Sequence, residues 1–184
     1  QRSGNAMPSL KSIRKRISSV KNTQKITRAM KMVAAARLRR AQQNITELRP
    51  YAQKTLEVLS SVALRAGDAE VHPLLARRTP KKVLLVALTS DRGLAGAFNT
   101  NIIRVARRFQ ERLHLPSMYV TVGRKGRDSL IRAREKVVAE YSAVSEPTIA
   151  DISPIARLAI DDFLSGEVDE VFIAYTDFIN TLTQ

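Results

Sequence analysis

From Ser9 to Arg49 nothing in the chain breaks a helix, and its apolar residues recur every three or four positions. Leu10, Ile13, Ile17 and Val20 open the series, and Ala34, Leu38, Ala41, Ile45, Leu48, Ala52, Leu56, Leu59 and Ala63 continue it. Between them Asn22-Thr23-Gln24 interrupts the stripe, and Ile26, Met30 and Val33 resume it on a shifted face. Pro50 marks a kink or a weak joint, after which the pattern recovers until Gly67. A helix of about 55 residues is roughly 80 Å long, and no globular core is that long. A narrow stripe on such a helix requires a second helix beside it, so residues 7–66 are expected to form half of a coiled coil. A pair of ordinary core helices broken near Pro50 would give the same pattern.

Charge separates this segment from the rest. The net charge is +14, yet between Met7 and Arg49 twelve Lys or Arg residues face one acid, Glu47, whereas from Glu140 onward nine acids face one base, Arg157. A basic front of this kind points to an anionic partner: nucleic acid, membrane or an acidic protein surface. Nucleic acid is disfavoured, because no Phe, Tyr or Trp lies between Met7 and Pro50 for base stacking and no groove-reading motif is present. No apolar run approaches the roughly 20 residues of a membrane span. The chain has no cysteine, which excludes disulfides, thiolate metal sites and a cysteine nucleophile. Residues 1–6, ahead of Met7, read as a remnant of expression and are set aside.

After a linker at 67–80 containing Gly67, His72-Pro73 and Thr79-Pro80, the pattern changes. Strands are expected at Lys82 to Leu88, Met118 to Val122, Val137 to Tyr141 and Val171 to Tyr175. Helices are expected at Asn99 to Leu113, Lys125 to Arg134 and Ser153 to Leu164, the last opened by Ser153-Pro154 and stopped by Leu164-Ser-Gly166. This alternation predicts that 81–184 is a Rossmann-like layered α/β domain with a mostly parallel sheet.

One loop in that domain resembles a phosphate cradle: Thr89-Ser-Asp-Arg-Gly-Leu-Ala-Gly96, at the carboxyl end of the first strand, with Gly123-Arg-Lys-Gly126 after the second. It lacks the third glycine of a dinucleotide fingerprint and the Lys-Ser/Thr of a phosphate loop. The competing reading is a tight structural turn in which Gly93 and Gly96 supply positive φ, Asp91 caps and Arg92 pairs locally. The only histidines, His72 and His114, have no carboxylate at ligand spacing, so no metal site is expected. Asp161-Asp162, Glu167, Asp169 and Glu170 read as solvated charge. No nucleophile–base pair is visible and no cofactor is implied.

The segments "LKSIRKRISSVKNTQKITRAMKMVAAARLRRAQ", "SDRGLAGAFNTN", "VGRKG" and "FINTLTQ" resemble, in that order, the gamma subunit of the F-type rotary ATP synthase. The likeness covers essentially the whole chain after Met7, and its first motif is highly specific. It implies a central rotor shaft, non-catalytic in itself, whose N-terminal helix pairs with a C-terminal helix inside a hexamer of alpha and beta subunits. It implies partners in alpha, beta, epsilon and the ring of c subunits, contact with the membrane only through that complex, and a place on the cytoplasmic face of a bacterial plasma membrane. Passage from Met7-Pro8 straight into the helix favours a bacterial over an imported organellar protein.

The family's beta subunits carry an acidic lever facing the shaft. The resemblance places Lys25, Arg28, Met30, Lys31, Arg37, Arg39 and Arg40 against it, with Met30 where the family keeps an uncharged residue. Two departures stand out. Ala95 replaces a cysteine common in the family's loop, so no thiol chemistry is implied there. The sequence also stops at Gln184 in what reads as a strand, which implies truncation before the long C-terminal helix.

Overall fold

The computed structural model describes residues 9–65, 72–144 and 146–179, and the chain divides into two compact units, 1–67 and 68–184. Gly67, the expected end of the helical pattern, and most of "FINTLTQ" lie outside the described residues.

The first unit is a single helix, α1 (Leu10–Arg65), of 56 residues, none of them buried. Ser9 caps it: its hydroxyl accepts from the Ser12 amide at 3.3 Å and its carbonyl from the Ile13 amide at 3.1 Å. Pro50 lies inside α1 and ends nothing, so two helices broken at that point do not describe this segment. Proline removes one N–H donor and frees the carbonyl four residues earlier, on Thr46, but on a helix with no buried residue water satisfies that carbonyl. The Thr23, Thr27, Thr46 and Thr55 hydroxyls donate to carbonyls four residues back, keeping β-branched polar residues compatible with the helix.

The second unit alternates strand and helix: β1 (Val83–Leu88), α2 (Phe98–Leu113), β2 (Ser117–Val122), α3 (Arg124–Arg132), β3 (Val137–Tyr141), α4 (Ile149–Leu164) and β4 (Glu170–Ala174). The four strands form one wholly parallel sheet in the order β3-β2-β1-β4, with Val83 beside Ser117 on one flank and Glu170 on the other. Central β1 reads Val-Leu-Leu-Val-Ala-Leu because both faces are covered. Leu85, Ala87 and Tyr119 pack under Ile102, Ile103 and Ala106 of α2 and Leu130 of α3. On the opposite face Leu84, Val86, Met118 and Val120 meet Ile155, Leu158, Ala159 and Phe163 of α4.

The start of α4 differs from the sequence expectation. Thr148 is the N-cap and forms a capping box with Asp151, whose carboxylate accepts from the Thr148 amide at 2.9 Å and from its hydroxyl at 2.6 Å. Ser153 therefore lies in the second turn, donating to the Ile149 carbonyl at 2.7 Å, and Pro154 sits in the helix interior on its exposed side. The predicted stop is where the helix ends: Gly166 takes φ +78° just past Leu164. Asp169 is more than solvated charge. It accepts from the Lys81 and Lys82 amides at 2.8 and 3.2 Å, which holds its carboxyl below the usual range and ties the start of β1 to that of β4.

Candidate functional site

The loop after β1 is built around Thr89, a buried residue at the point where β1 leaves the sheet. Its hydroxyl lies 2.8 Å from the Val122 carbonyl and 3.1 Å from that of Gly123, and it accepts from the Gly126 amide at 3.0 Å. The start of α3 is thereby drawn against the end of β1. A Cβ on Gly126 would stand 2.5 Å from the Thr89 hydroxyl oxygen, and one on Gly123, whose φ is +98°, would stand 2.6 Å from the Thr89 carbonyl oxygen. Both positions admit only glycine without displacement of a neighbour.

The next two residues continue the clamp. The Ser90 carbonyl accepts from the Lys125 amide at 3.1 Å, while the Ser90 amide donates to Asn99 Oδ1 at 2.9 Å. Asp91 bridges two loops, accepting from the Arg124 amide at 2.9 Å with one oxygen and from the Ala143 amide at 3.1 Å with the other. The first three amides of α3, on Arg124, Lys125 and Gly126, are thus bound by Asp91, Ser90 and Thr89. These are the donors an anion at a helix N-terminus would use. A phosphate at this helix end would have to displace a carboxylate already seated there, so the geometry suits a rigid joint better than a nucleotide cradle.

Two expectations for this loop need correction. Gly93 does not take positive φ; that conformation falls on Leu94, at +61°, and on Gly96, at +54°. A Cβ on Gly93 would meet only the Lys125 side chain, at 4.0 Å, so Gly93 is no packing constraint. Arg92 does not pair locally: its carbonyl accepts from the Ser90 hydroxyl at 2.7 Å, and its side chain is exposed without a partner among the described residues. Asp91 does cap, but it caps α3, more than thirty residues on, and not its own turn. Sequence reasoning missed Thr89, Gly123 and Gly126 as the working residues; the only signal for them was the second glycine pair.

On α1, Lys25, Arg28, Met30, Lys31, Arg37, Arg39 and Arg40 are all exposed. At about 100° per residue Lys25, Arg28, Lys31 and Arg39 share one face. Met30 lies opposite them with Ile26 and Val33, Arg37 falls on the Met30 side, and Arg40 lies between the two faces. The helix therefore joins four of the seven residues into one cationic strip and leaves Met30 on the apolar one.

Elsewhere α2 and β4 border an open cleft of about 480 Å³ lined chiefly by Phe98, Ile102, Phe109, Phe172 and Ile179. Among the described residues no group of three or more His, Asp or Glu side chains is placed to hold a metal, and no helix is long and apolar enough to cross a membrane.

The family model described as ATP synthase matches residues 9–184. The ATP synthase gamma chain of Roseiflexus castenholzii is 45% identical over 184 residues, a match covering 97% of this chain and 63% of that protein. The one from Dehalococcoides mccartyi is 43% identical, with 97% of this chain and 63% of that protein covered. The one from Symbiobacterium thermophilum is 44% identical, with 95% and 61% covered. The chain thus spans a little under two thirds of the length of these relatives. Among solved structures, the central stalk and c-ring of the Tetrahymena thermophila mitochondrial ATP synthase superposes with a TM-score of 0.60 at 28% identity, covering 84% of this chain and 66% of that one. A family match along nearly all of the chain, on the same long helix and parallel sheet, shows that it belongs to the ATP synthase family, among the members named gamma chain.

Proposed function

We propose that the chain is the shaft-and-foot portion of a central-stalk rotor subunit, non-catalytic in itself, that couples proton flow through a membrane sector to ATP synthesis or hydrolysis in a catalytic hexamer. The observation that carries this reading is α1: 56 residues without one buried side chain, bearing both an apolar stripe and a lopsided basic surface. A helix this long gains little from propensity alone and is stabilised by what covers its stripe. The family's second shaft helix is the natural cover. Alpha and beta subunits would surround the shaft, and epsilon and the c-subunit ring would meet the α/β unit, on the cytoplasmic face of the bacterial plasma membrane.

The strip Lys25, Arg28, Lys31 and Arg39 faces an acidic lever through long-range attraction that needs no fixed ion pair, as a turning shaft requires. Met30 sits on the opposite face with Ile26 and Val33, where Arg37 is the neighbouring cation, and rotation brings both faces to each lever. A lysine there would add a second cation beside Arg37 on this otherwise apolar face and strengthen its hold on the lever. Met30→Lys is expected to leave ATP hydrolysis in place while lowering the protons pumped per ATP in the assembled complex; full coupling in that variant would refute the role given to this face. The rotor reading itself is tested by adding the full-length chain to alpha–beta hexamers and to membranes lacking this subunit, where coupled ATPase activity should return. Nucleotide or nucleic-acid binding is the lesser reading, since the amides of α3 are engaged by protein groups and the basic helix carries no stacking residue ahead of Tyr51.

A further inference from the structure

Helices α2 and α3 cover one face of the sheet, and each carries four bases and one acid, whereas α4 on the other face carries one base and three acids. The sheet thus separates opposite charge, and the cations of α2 and α3 are more than a share of the chain's general basicity. Along these two helices runs an open cleft of about 330 Å³, lined by Thr100, Arg104, Arg107 and Arg108 of α2 and by Ser129 of α3. Arg104 stands three residues from Arg107 and four from Arg108, spacings at which like charges repel and weaken a helix. Local pairing does not use up this charge. Arg107 donates its Nε–H to Glu135 at 3.0 Å, Arg104 gives one Nη to the uncharged Asn101 Oδ1 at 2.7 Å, and Arg108 has no partner among the described residues. The Thr100 and Ser129 hydroxyls are also without partners among the described residues, and Glu111, the one acid of the lining, makes no ion pair with the arginines beside it.

We infer that this cleft binds a phosphate monoester group, carried by free phosphate, by a small phosphate ester or by a lipid headgroup. Every base in the lining is arginine, whose planar fork matches phosphate oxygens in pairs, and the three free oxygens of a monoester can take donors from several forks at once. The two hydroxyls supply further donors from both helices. A bound dianion would also offset the repulsion among the three arginines, which the fold leaves uncompensated. A concave site of this size suits a small anion better than the flat acidic face of a partner protein. It is separate from the loop after β1, where the amides at the start of α3 are already bound, and it stands whether or not the rotor reading does.

The test titrates the full-length chain with inorganic phosphate, with glycerol phosphate, and with phosphatidylcholine vesicles containing phosphatidic acid, each against chloride at equal ionic strength. At least one probe should bind, and a soluble one should raise the melting temperature of the chain. Arg108→Gln removes a side chain that pairs with nothing in the fold, so it should melt no lower than wild type while its Kd for that probe weakens about tenfold, as for loss of one charge-assisted contact. Arg104→Gln should weaken the same binding. Arg157→Gln takes the same charge from α4, on the opposite face, and should leave the Kd unchanged. Binding of phosphate or the ester assigns a soluble ligand, and Arg108-dependent binding confined to the vesicles assigns a headgroup. Four results would overturn the inference: no probe binds beyond chloride, binding survives both Arg104→Gln and Arg108→Gln, Arg157→Gln weakens it as much as they do, or Arg108→Gln loses binding only in proportion to unfolding.

Discussion

Thr89 shows how little a motif says about which of its residues matter. The eye goes to Gly93 and Gly96, yet the tight contacts lie in Gly123 and Gly126, which approach Thr89 from the start of α3. No spacing rule reports a distance between residues 37 positions apart, and so the sequence identified a turn without identifying its keystone. Gly126→Ala is expected to cost about 1–3 kcal/mol by overpacking against Thr89, and Gly123→Ala at least as much because of its positive φ. Gly93→Ala should change stability by less than about 0.5 kcal/mol, a contrast that chemical denaturation of the three variants would measure. Tyr119 offers a second test. It is fully buried, its hydroxyl has no partner among the described residues, and burial together with the nearby Glu135 pushes its pKa up to about 12. In the unfolded chain the phenol ionises near 10, so the fold keeps a proton there that the unfolded chain releases. Stability is unaffected below that pH and falls as pH rises from 10 toward 12, by roughly 2–3 kcal/mol in total. Tyr119→Phe should remove that decline and, by deleting an unsatisfied hydroxyl, leave the neutral-pH stability equal or about 1 kcal/mol higher.

Individual elements were more legible than their ends. Helix α1 continues through Pro50, an exposed position, where the ring costs one backbone bond to a water-accessible carbonyl, and the continuous apolar run of β1 is what a strand buried on both faces needs. At α4 two signals competed: Ser153-Pro154, a good first turn, and Thr148-Ile-Ala-Asp151, a capping box one turn earlier. The box prevails because it satisfies two backbone donors reciprocally, while proline inside the helix loses one bond on the solvent side, where water replaces it. Thr148→Ala is accordingly expected to lower stability by about 1 kcal/mol and to fray the first turn, visible as faster amide exchange at Ile152. Ser153→Ala should have no comparable effect.

For the molecule as a whole, alternation of strand and helix fixed the fold class, and the switch in direction that sends β4 to the far side of β1 puts α4 on the sheet face opposite α2 and α3. Strand order was not legible, because it depends on which edge a crossover chooses, and the apolar strands read alike. Charge asymmetry was legible as a count, while its use as one cationic strip plus scattered bases required the helix. A chain this basic should bind random DNA at low salt through counterion release, with affinity falling steeply as salt rises and no retention at physiological ionic strength. A filter-binding series across salt checks this, and tight binding at the upper end would return nucleic acid to consideration.

The parallel sheet also sets an order in time. β1 lies between β2 and β4, and its outer partner, beginning at Glu170, is made long after Val83 has left the ribosome. Until then the nascent chain holds an apolar strand with one open side, and a long helix that has emerged earlier carries an apolar stripe of its own. Non-local pairing of this kind folds slowly and leaves sticky intermediates. The centre of the sheet is therefore the last part of the unit to be completed during synthesis, and the interval before β4 arrives is when a chaperone has most to protect.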